Sequence, residues 1–166
     1  MKVNAFIPVR MSSSRFPGKP LTKLLNITML EHVWRRTKMS NVDETYVALC
    51  DKETIDVCKR IGAKYVVTSK KHEMCMDRIA EAAKKKKSDI IVTVQGDEPF
   101  ITPQMINLTI RNIIKKKEEL FCTTLAQKIS SKKEIHNTNR VKIIWNKKKE
   151  VIYISREPIP SVAKFK

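Results

Sequence analysis

Asp89-Ile90-Ile91-Val92-Thr93-Val94-Gln95-Gly96-Asp97-Glu98-Pro99 decides the architecture. Ile90 to Val94 are all β-branched, which favours an extended chain. A near-continuous apolar run suits a strand covered on both faces, as strands of parallel sheets are. The run then breaks into Gly96, Asp97, Glu98 and Pro99, which is turn chemistry. In open parallel sheets, ligands bind beyond the carboxyl ends of the strands.

Outward from this segment, strands and helices alternate. Val3 to Ile7 is a second short apolar run, ended by Pro8. Thr45 to Leu49 and Lys64 to Val67 read as strands too. Between them, Met29, Leu30, Val33 and Trp34 recur at helical spacing, as do Ile55, Cys58 and Ile61 before the stop signal Gly62. Asp77 to Lys87 predicts a helix with Ile79, Ala80, Ala82 and Ala83 on its apolar side, and Pro103 opens another that runs to Ile114. Phe121 to Ala126 predicts a further strand. Val141 to Trp145 and Glu150 to Ile154, joined by Asn146 to Lys149, predict a β-hairpin near the C-terminus. The fold class is therefore α/β, a three-layer sandwich on a mainly parallel central sheet.

The 166 residues suit a single domain, 1–166. No run approaches the ~18 apolar residues that a membrane span needs. The start of the chain has too short an apolar run for a signal peptide, so a cytoplasmic location is expected. Cys50, Cys58, Cys75 and Cys122 are scattered without a C-x-x-C and read as reduced thiols, buried small hydrophobes rather than nucleophiles. A net charge of +17 raises the question of nucleic acid. The excess is lysine, gathered in runs at 84–87, 115–117 and 147–149 as solvated helix ends and turns would be. Aromatics make up only 6% of the chain, so stacking platforms are scarce and no specific nucleic-acid partner is expected. His32, His72 and His136 are isolated and read as structural or surface residues.

Two loops at the carboxyl edge of the sheet carry chemistry. The first, Arg10 to Lys19, holds Arg10, Arg15, Lys19 and the hydroxyls of Ser12, Ser13 and Ser14. Guanidinium forks and hydroxyls suit phosphate oxygens, and Gly18 lets backbone approach a ligand. The spacing is not that of a Walker loop. A solvated basic turn is the plainer reading of this loop taken alone. The second loop offers Asp97 to a hard cation, with Glu98 as another candidate and Gln95 as donor and acceptor to a polar substrate. A helix N-cap or a lysine partner is the plainer reading of Asp97.

Taken in order, Pro8-x-Arg10, Ser13-x-Arg15-x-Pro17-Gly18-Lys19-Pro20, Asp77-Arg78, Val94-Gln95-Gly96-Asp97-Glu98-Pro99, Asn137-x-Asn139-x-Val141-Lys142 and Ser155-Arg156-x-Pro158-Ile159-Pro160 resemble the 3-deoxy-manno-octulosonate cytidylyltransferase (CMP-Kdo synthetase) family. The resemblance implies a nucleotide-diphospho-sugar transferase-like fold. It also implies Mg²⁺-dependent transfer of CMP from CTP to an eight-carbon 3-deoxy-2-ulosonic acid, for surface polysaccharide synthesis. It places Arg10, Ser13, Arg15 and Lys19 at the triphosphate, Arg78 near the cytidine, and Asp97 at the metal. Lys19 and Asp97 are the catalytic pair it implies, and Gln95, Lys142 and Arg156 lie towards the sugar acid. A homodimer is implied as well.

Two departures stand out. Met74-Cys75-Met76 occupies the place of the family's usual Ser-Gly-Thr. This leaves open an amino-Kdo or sialic-acid-like sugar; the plainer reading has Met74 and Met76 packing on the following helix. The family's later V-D-T-P-like segment, with a second metal-binding aspartate, has no counterpart before Lys166, which leaves open a truncated, inactive nucleotide-binding module.

Overall fold

The computed structural model describes residues 1–12, 16–116 and 121–160. The chain divides into two compact units, Met1–Thr123 and Thr124–Lys166.

The first unit is built on four parallel strands. Strand β1 (Val3–Pro8) is central, flanked by β4 (Glu44–Leu49) and β6 (Ile90–Thr93), with β5 (Lys64–Val67) outside β4. In register, Phe6 lies beside Tyr46 and Thr93, and Val47 beside Tyr65. A small hairpin, β2 (Lys23–Leu24) and β3 (Ile27–Thr28), turns through Leu25 and Asn26, both at positive φ. The helices are α1 (Met29–Lys38), α2 (Lys52–Ile61), α3 (Cys75–Lys85) and α4 (Pro103–Lys115).

The period of two along each strand sorts the core into two halves. Ile7, Val47 and Leu49 pack with Leu30, Val33, Cys58, Ile106 and Ile110, so α1, α2 and α4 cover one face. Phe6, Tyr46, Ala48 and Val66 pack with Ile79 and Ala82, so α3 covers the other. Helix starts follow local chemistry. Thr28 caps α1 by accepting from the Glu31 N–H at 3.2 Å, and Thr102 caps α4 from Met105 at 3.3 Å ahead of Pro103. Gly62, at φ 69°, ends α2.

Two elements differ from expectation. Helix α3 starts at Cys75 rather than Asp77, with Met74 at its N-cap and no side-chain capping bond. Ile79 and Ala82, in later turns, pack the helix on the sheet, and no capping signature marks its start. Residues 121–126 form no strand: Phe121 is fully exposed, and the segment's side-chain bond is Thr123 Oγ1 to the Thr109 carbonyl at 3.3 Å. A run becomes a strand only by pairing, and among the described residues 121–126 pairs with no strand.

In the second unit, a short helix α5 (Lys132–His136) precedes an antiparallel hairpin, β7 (Lys142–Trp145) and β8 (Val151–Ser155). Asn146 organises the turn, its Oδ1 accepting from Lys148 at 2.9 Å and Glu150 at 3.0 Å.

Candidate functional site

Four strands end at one edge of the sheet, and their outgoing chains are tied there. The Val9 N–H donates to Ala48 O at 2.9 Å, Thr68 N–H to Leu49 O at 2.8 Å, and Val94 N–H to Phe6 O at 3.1 Å. A cavity of about 230 Å³ opens over this edge. Pro8, Arg10 and Lys19 line it from the first loop, and Gln95, Gly96 and Asp97 from the loop after β6. The segment entering α3 supplies His72, Glu73, Cys75 and Arg78.

Lys19 Nζ donates to Asp97 Oδ2 at 2.7 Å, which joins the two loops across 78 residues of sequence. The pair is open to water, with the side chains 32% and 52% exposed. Such a pair adds at most about 1 kcal/mol to stability, so its presence speaks to the site rather than to the fold. Two backbone features set its position. Gly18, at φ 75°, makes the turn that leads into Lys19, and its N–H donates to Met11 O at 3.0 Å. Gly96 lies against β1: a Cβ there would stand 2.7 Å from the Pro8 carbonyl oxygen and 2.7 Å from Val9 Cγ1. Asp51 ties the start of the first loop, accepting from the Met11 N–H at 2.8 Å.

Arg10 is exposed, and its Nη1 donates to the Glu73 carbonyl at 3.0 Å. Arg78 is buried, 3% exposed; its Nη1 donates to Thr68 Oγ1, and that hydroxyl donates to Leu49 O at 3.0 Å. Beside it, burial pushes the Cys50 thiol up, partly offset by the Arg78 charge. Gln95 is exposed, and its Nε2 meets Cys75 Sγ at 3.8 Å. Ser13 and Arg15 lie outside the described residues. Lys142 and Arg156 belong to the second unit. There Lys142 is buried, its ammonium on the carbonyls of Asn137 and Arg156, and Arg156 Nη1 donates to Thr138 O at 3.3 Å.

Met74 and Met76 are 65% and 55% exposed, not packed on the following helix. Met74 is the N-cap and Met76 lies in the first turn of α3, while Ile79 and Ala82 supply the face packed on the sheet. Cys75 and Cys122 are also exposed, contrary to the expectation that all four thiols are buried. Cys75 stands at the cavity wall, outside the packed interior. His72 went unrecognised in the sequence. It lines the cavity, and its Nε2 lies 2.6 Å from Glu81 Oε2 on α3.

Chemically, the cavity gathers three permanent cations and two carboxylates around polar backbone, a setting for a polyanion accompanied by a hard cation. A family profile described as cytidylyltransferase matches residues 5–166. The 3-deoxy-manno-octulosonate cytidylyltransferase of Geobacter metallireducens is 38% identical over 162 residues, covering 97% of this chain and 63% of that relative. The protein of the same name from Fusobacterium nucleatum is 40% identical over 161 residues, covering 96% of this chain and 65% of that relative. This chain thus spans less than two thirds of the length of either. A solved CMP:2-keto-3-deoxy-manno-octonic acid synthetase complexed with CTP aligns with a TM-score of 0.87 and 29% identity, over 99% of this chain and 68% of that one. With a profile match over almost its whole length, this chain belongs to the cytidylyltransferase family.

Proposed function

We propose that this chain is the nucleotide-handling part of a CTP-dependent cytidylyltransferase acting on a 3-deoxy-2-ulosonic acid of the Kdo type. The observation that carries the reading is the 2.7 Å contact between Lys19 and Asp97, which puts a phosphate-seeking cation and a metal-seeking carboxylate in one cavity. Residues 1–166 are read as one nucleotidyltransferase domain, the N-terminal part of the family's catalytic domain. The product would serve surface polysaccharide synthesis in the cytoplasm. Among the described residues, no helix is long and apolar enough to cross a membrane.

In this reaction the anomeric hydroxyl of the sugar acid attacks the α-phosphorus of CTP. A new P–O bond forms, the bond to the β-phosphate oxygen breaks, and pyrophosphate leaves with that electron pair; the hydroxyl proton passes to solvent. Both reactants are anions, so charge neutralisation and alignment dominate the barrier. Lys19 and Arg10 offset the triphosphate charge, with Ser13 and Arg15 of the same loop. Arg78 lies towards the cytidine, and Gln95 offers its carboxamide to the sugar acid. Lys142 and Arg156 are assigned to the sugar acid as well, and the active protein is read as a homodimer.

Mg²⁺ fits Asp97 in one specific sense. Among the described residues no three His, Cys, Asp or Glu side chains cluster to form a cage. Asp97 is half-exposed, and only its Oδ2 is engaged by Lys19. Mg²⁺ commonly binds through one or two carboxylates plus substrate phosphates and water, and this donor set suits that mode. When bound, the ion would supply Lewis-acid charge at the phosphates.

The test is pyrophosphate release with CTP, Mg²⁺ and Kdo on the full-length protein, beside Asp97→Asn. The variant is expected to lose on the order of 10²-fold or more in turnover, with a stability change below about 1 kcal/mol because the ion pair is solvated. A panel with amino-Kdo and a sialic acid identifies the sugar. Absence of release with every acid overturns the reading, and CTP binding without release assigns a nucleotide-binding module instead.

A further inference from the structure

We infer that His72, oriented by Glu81, is an additional phosphate contact of the cavity, gripping the nucleotide as an imidazolium and releasing it as the neutral ring. The inference deepens the nucleotide reading above and rests on it.

The geometry begins with the tautomer. A carboxylate can only accept, so a 2.6 Å contact between Glu81 Oε2 and His72 Nε2 requires a proton on Nε2. The other ring nitrogen, Nδ1, has no protein partner among the described residues. In the neutral ring, Nδ1 carries a lone pair and repels phosphate oxygen. In the cation it is a charged donor, the kind of group that binds phosphate well. One proton therefore converts His72 from a hindrance into a ligand.

Glu81 is itself held in place. Its Oε2 also accepts from the Ser69 N–H at 2.8 Å, and its Oε1 from Lys85 Nζ at 2.6 Å. The Lys85 ammonium, the Ser69 N–H and His72 together hold its carboxyl down to about 2, so it stays charged wherever His72 can change. His72 keeps 23% of its side chain exposed on the cavity wall, so water and a ligand can reach it.

The groups around His72 carry both signs. Glu81 presents its carboxylate from α3, and Glu73 and Asp97 add negative charge on the cavity wall. Lys85 and Arg78 of α3, Arg10 and Lys19 of the first loop, and Lys70 and Lys71 beside it in sequence bring positive charge. Cys75 lines the same wall, and Cys50 interacts with both Arg78 and Asp51. Arriving phosphates offset the cations and add anionic partners, so binding and proton uptake reinforce one another.

The test follows the imidazole signals of the full-length protein by NMR from pH 5.5 to 8.5, with and without CTP and Mg²⁺ and without sugar. His72→Gln assigns the signal, and calorimetry measures affinity. CTP should raise the pH at which His72 loses its proton. Wild-type affinity should fall about tenfold more across this range than that of His72→Gln, the worth of one charged hydrogen bond. The variant keeps the nucleotide's own phosphate titration, so the difference isolates the ring. Glu81→Gln should move the wild-type affinity profile to lower pH. If CTP shifts signals from residues near Lys19 and Gln95 but leaves the His72 titration unmoved, the inference falls and the nucleotide reading stands. If CTP moves no signal at all, both fall. A purely structural His72 would lower stability in the variant without changing the pH slope of binding, and that result also overturns it.

Discussion

Gly96→Ala probes the closest approach in the site. The added Cβ would lie 2.7 Å from the Pro8 carbonyl oxygen and 2.7 Å from Val9 Cγ1. A carbon rests against a carbonyl oxygen at about 3.3 Å or more, so the loop must retreat by roughly 0.6 Å. Val9 could rotate its methyl only within a packed core, since it is 5% exposed, and Pro8 O is backbone and cannot rotate away at all. Overpacking of this kind costs about 1–3 kcal/mol. The reduced freedom of the unfolded chain returns about 0.4–1 kcal/mol. The net loss is then roughly 0–2.6 kcal/mol, or up to about 10 °C in Tm for a chain of this size. The larger consequence falls on Asp97, the next residue, which moves with the loop away from Lys19. Misplacement on the order of 1 Å can cost about 10² in rate. Calorimetric melting and pyrophosphate release measure the two effects. Val9→Ala in the same chain should restore part of the stability and little of the turnover, because the Pro8 contact remains. An alanine at 96 that leaves both Tm and turnover at wild-type values would refute the argument.

Further predictions concern the ties around the cavity. Asp51→Ala leaves the Met11 N–H without its 2.8 Å acceptor, and about 1–3 kcal/mol of stability should go with it. Faster tryptic cleavage at Arg10 would report the loosened loop. Burial pushes the Cys58 thiol up to about 12, so native protein at pH 8 should leave it unmodified by a disulfide reagent while Cys75 and Cys122 react; peptide mapping after labelling decides this. The Glu81 carboxyl, lowered to about 2 from a usual 4.5, adds stability that is fully present above about pH 4.5 and is lost as pH falls towards 2. Urea midpoints of the wild type and Glu81→Gln should accordingly differ at pH 6 and converge as the acid limit is approached.

What could be read from the sequence was whatever local pattern or sheet topology dictates. Ile90 to Val94 announces a strand because every residue in it is β-branched, but the expected cover on both faces is incomplete: Ile91 is 48% exposed on an edge strand. The meeting of Lys19 with Asp97 is long-range, yet it follows from order along the chain. Both residues leave the carboxyl ends of β1 and β6, which lie side by side and run the same way. The run at 121–126 misled because apolar content says nothing about whether a strand edge waits beside it. The start of α3 was missed because Met74 gives no capping chemistry to read.

His72 shows where such reading stops. It sits in the polar stretch Ser69-Lys70-Lys71-His72-Glu73, which by itself describes any solvated turn. Its meaning comes from Glu81, one element away, and only the fold of the chain into α3 makes them neighbours. Arg78 makes the complementary point. The family resemblance places it near the cytidine. In the fold its guanidinium is committed to Thr68, whose hydroxyl in turn holds the last carbonyl of β4 at Leu49. A buried cation with one donor so engaged has less freedom to follow a ligand than Arg10 or Lys19 at the surface. Its charge nonetheless stays in the cavity wall, where low solvent access strengthens its pull on an anion. The same side chain thus ties α3 to Thr68 after β5 and raises the electrostatic potential of the cavity. A change that removed it would be felt in stability and in affinity together, and so could not by itself apportion the two roles.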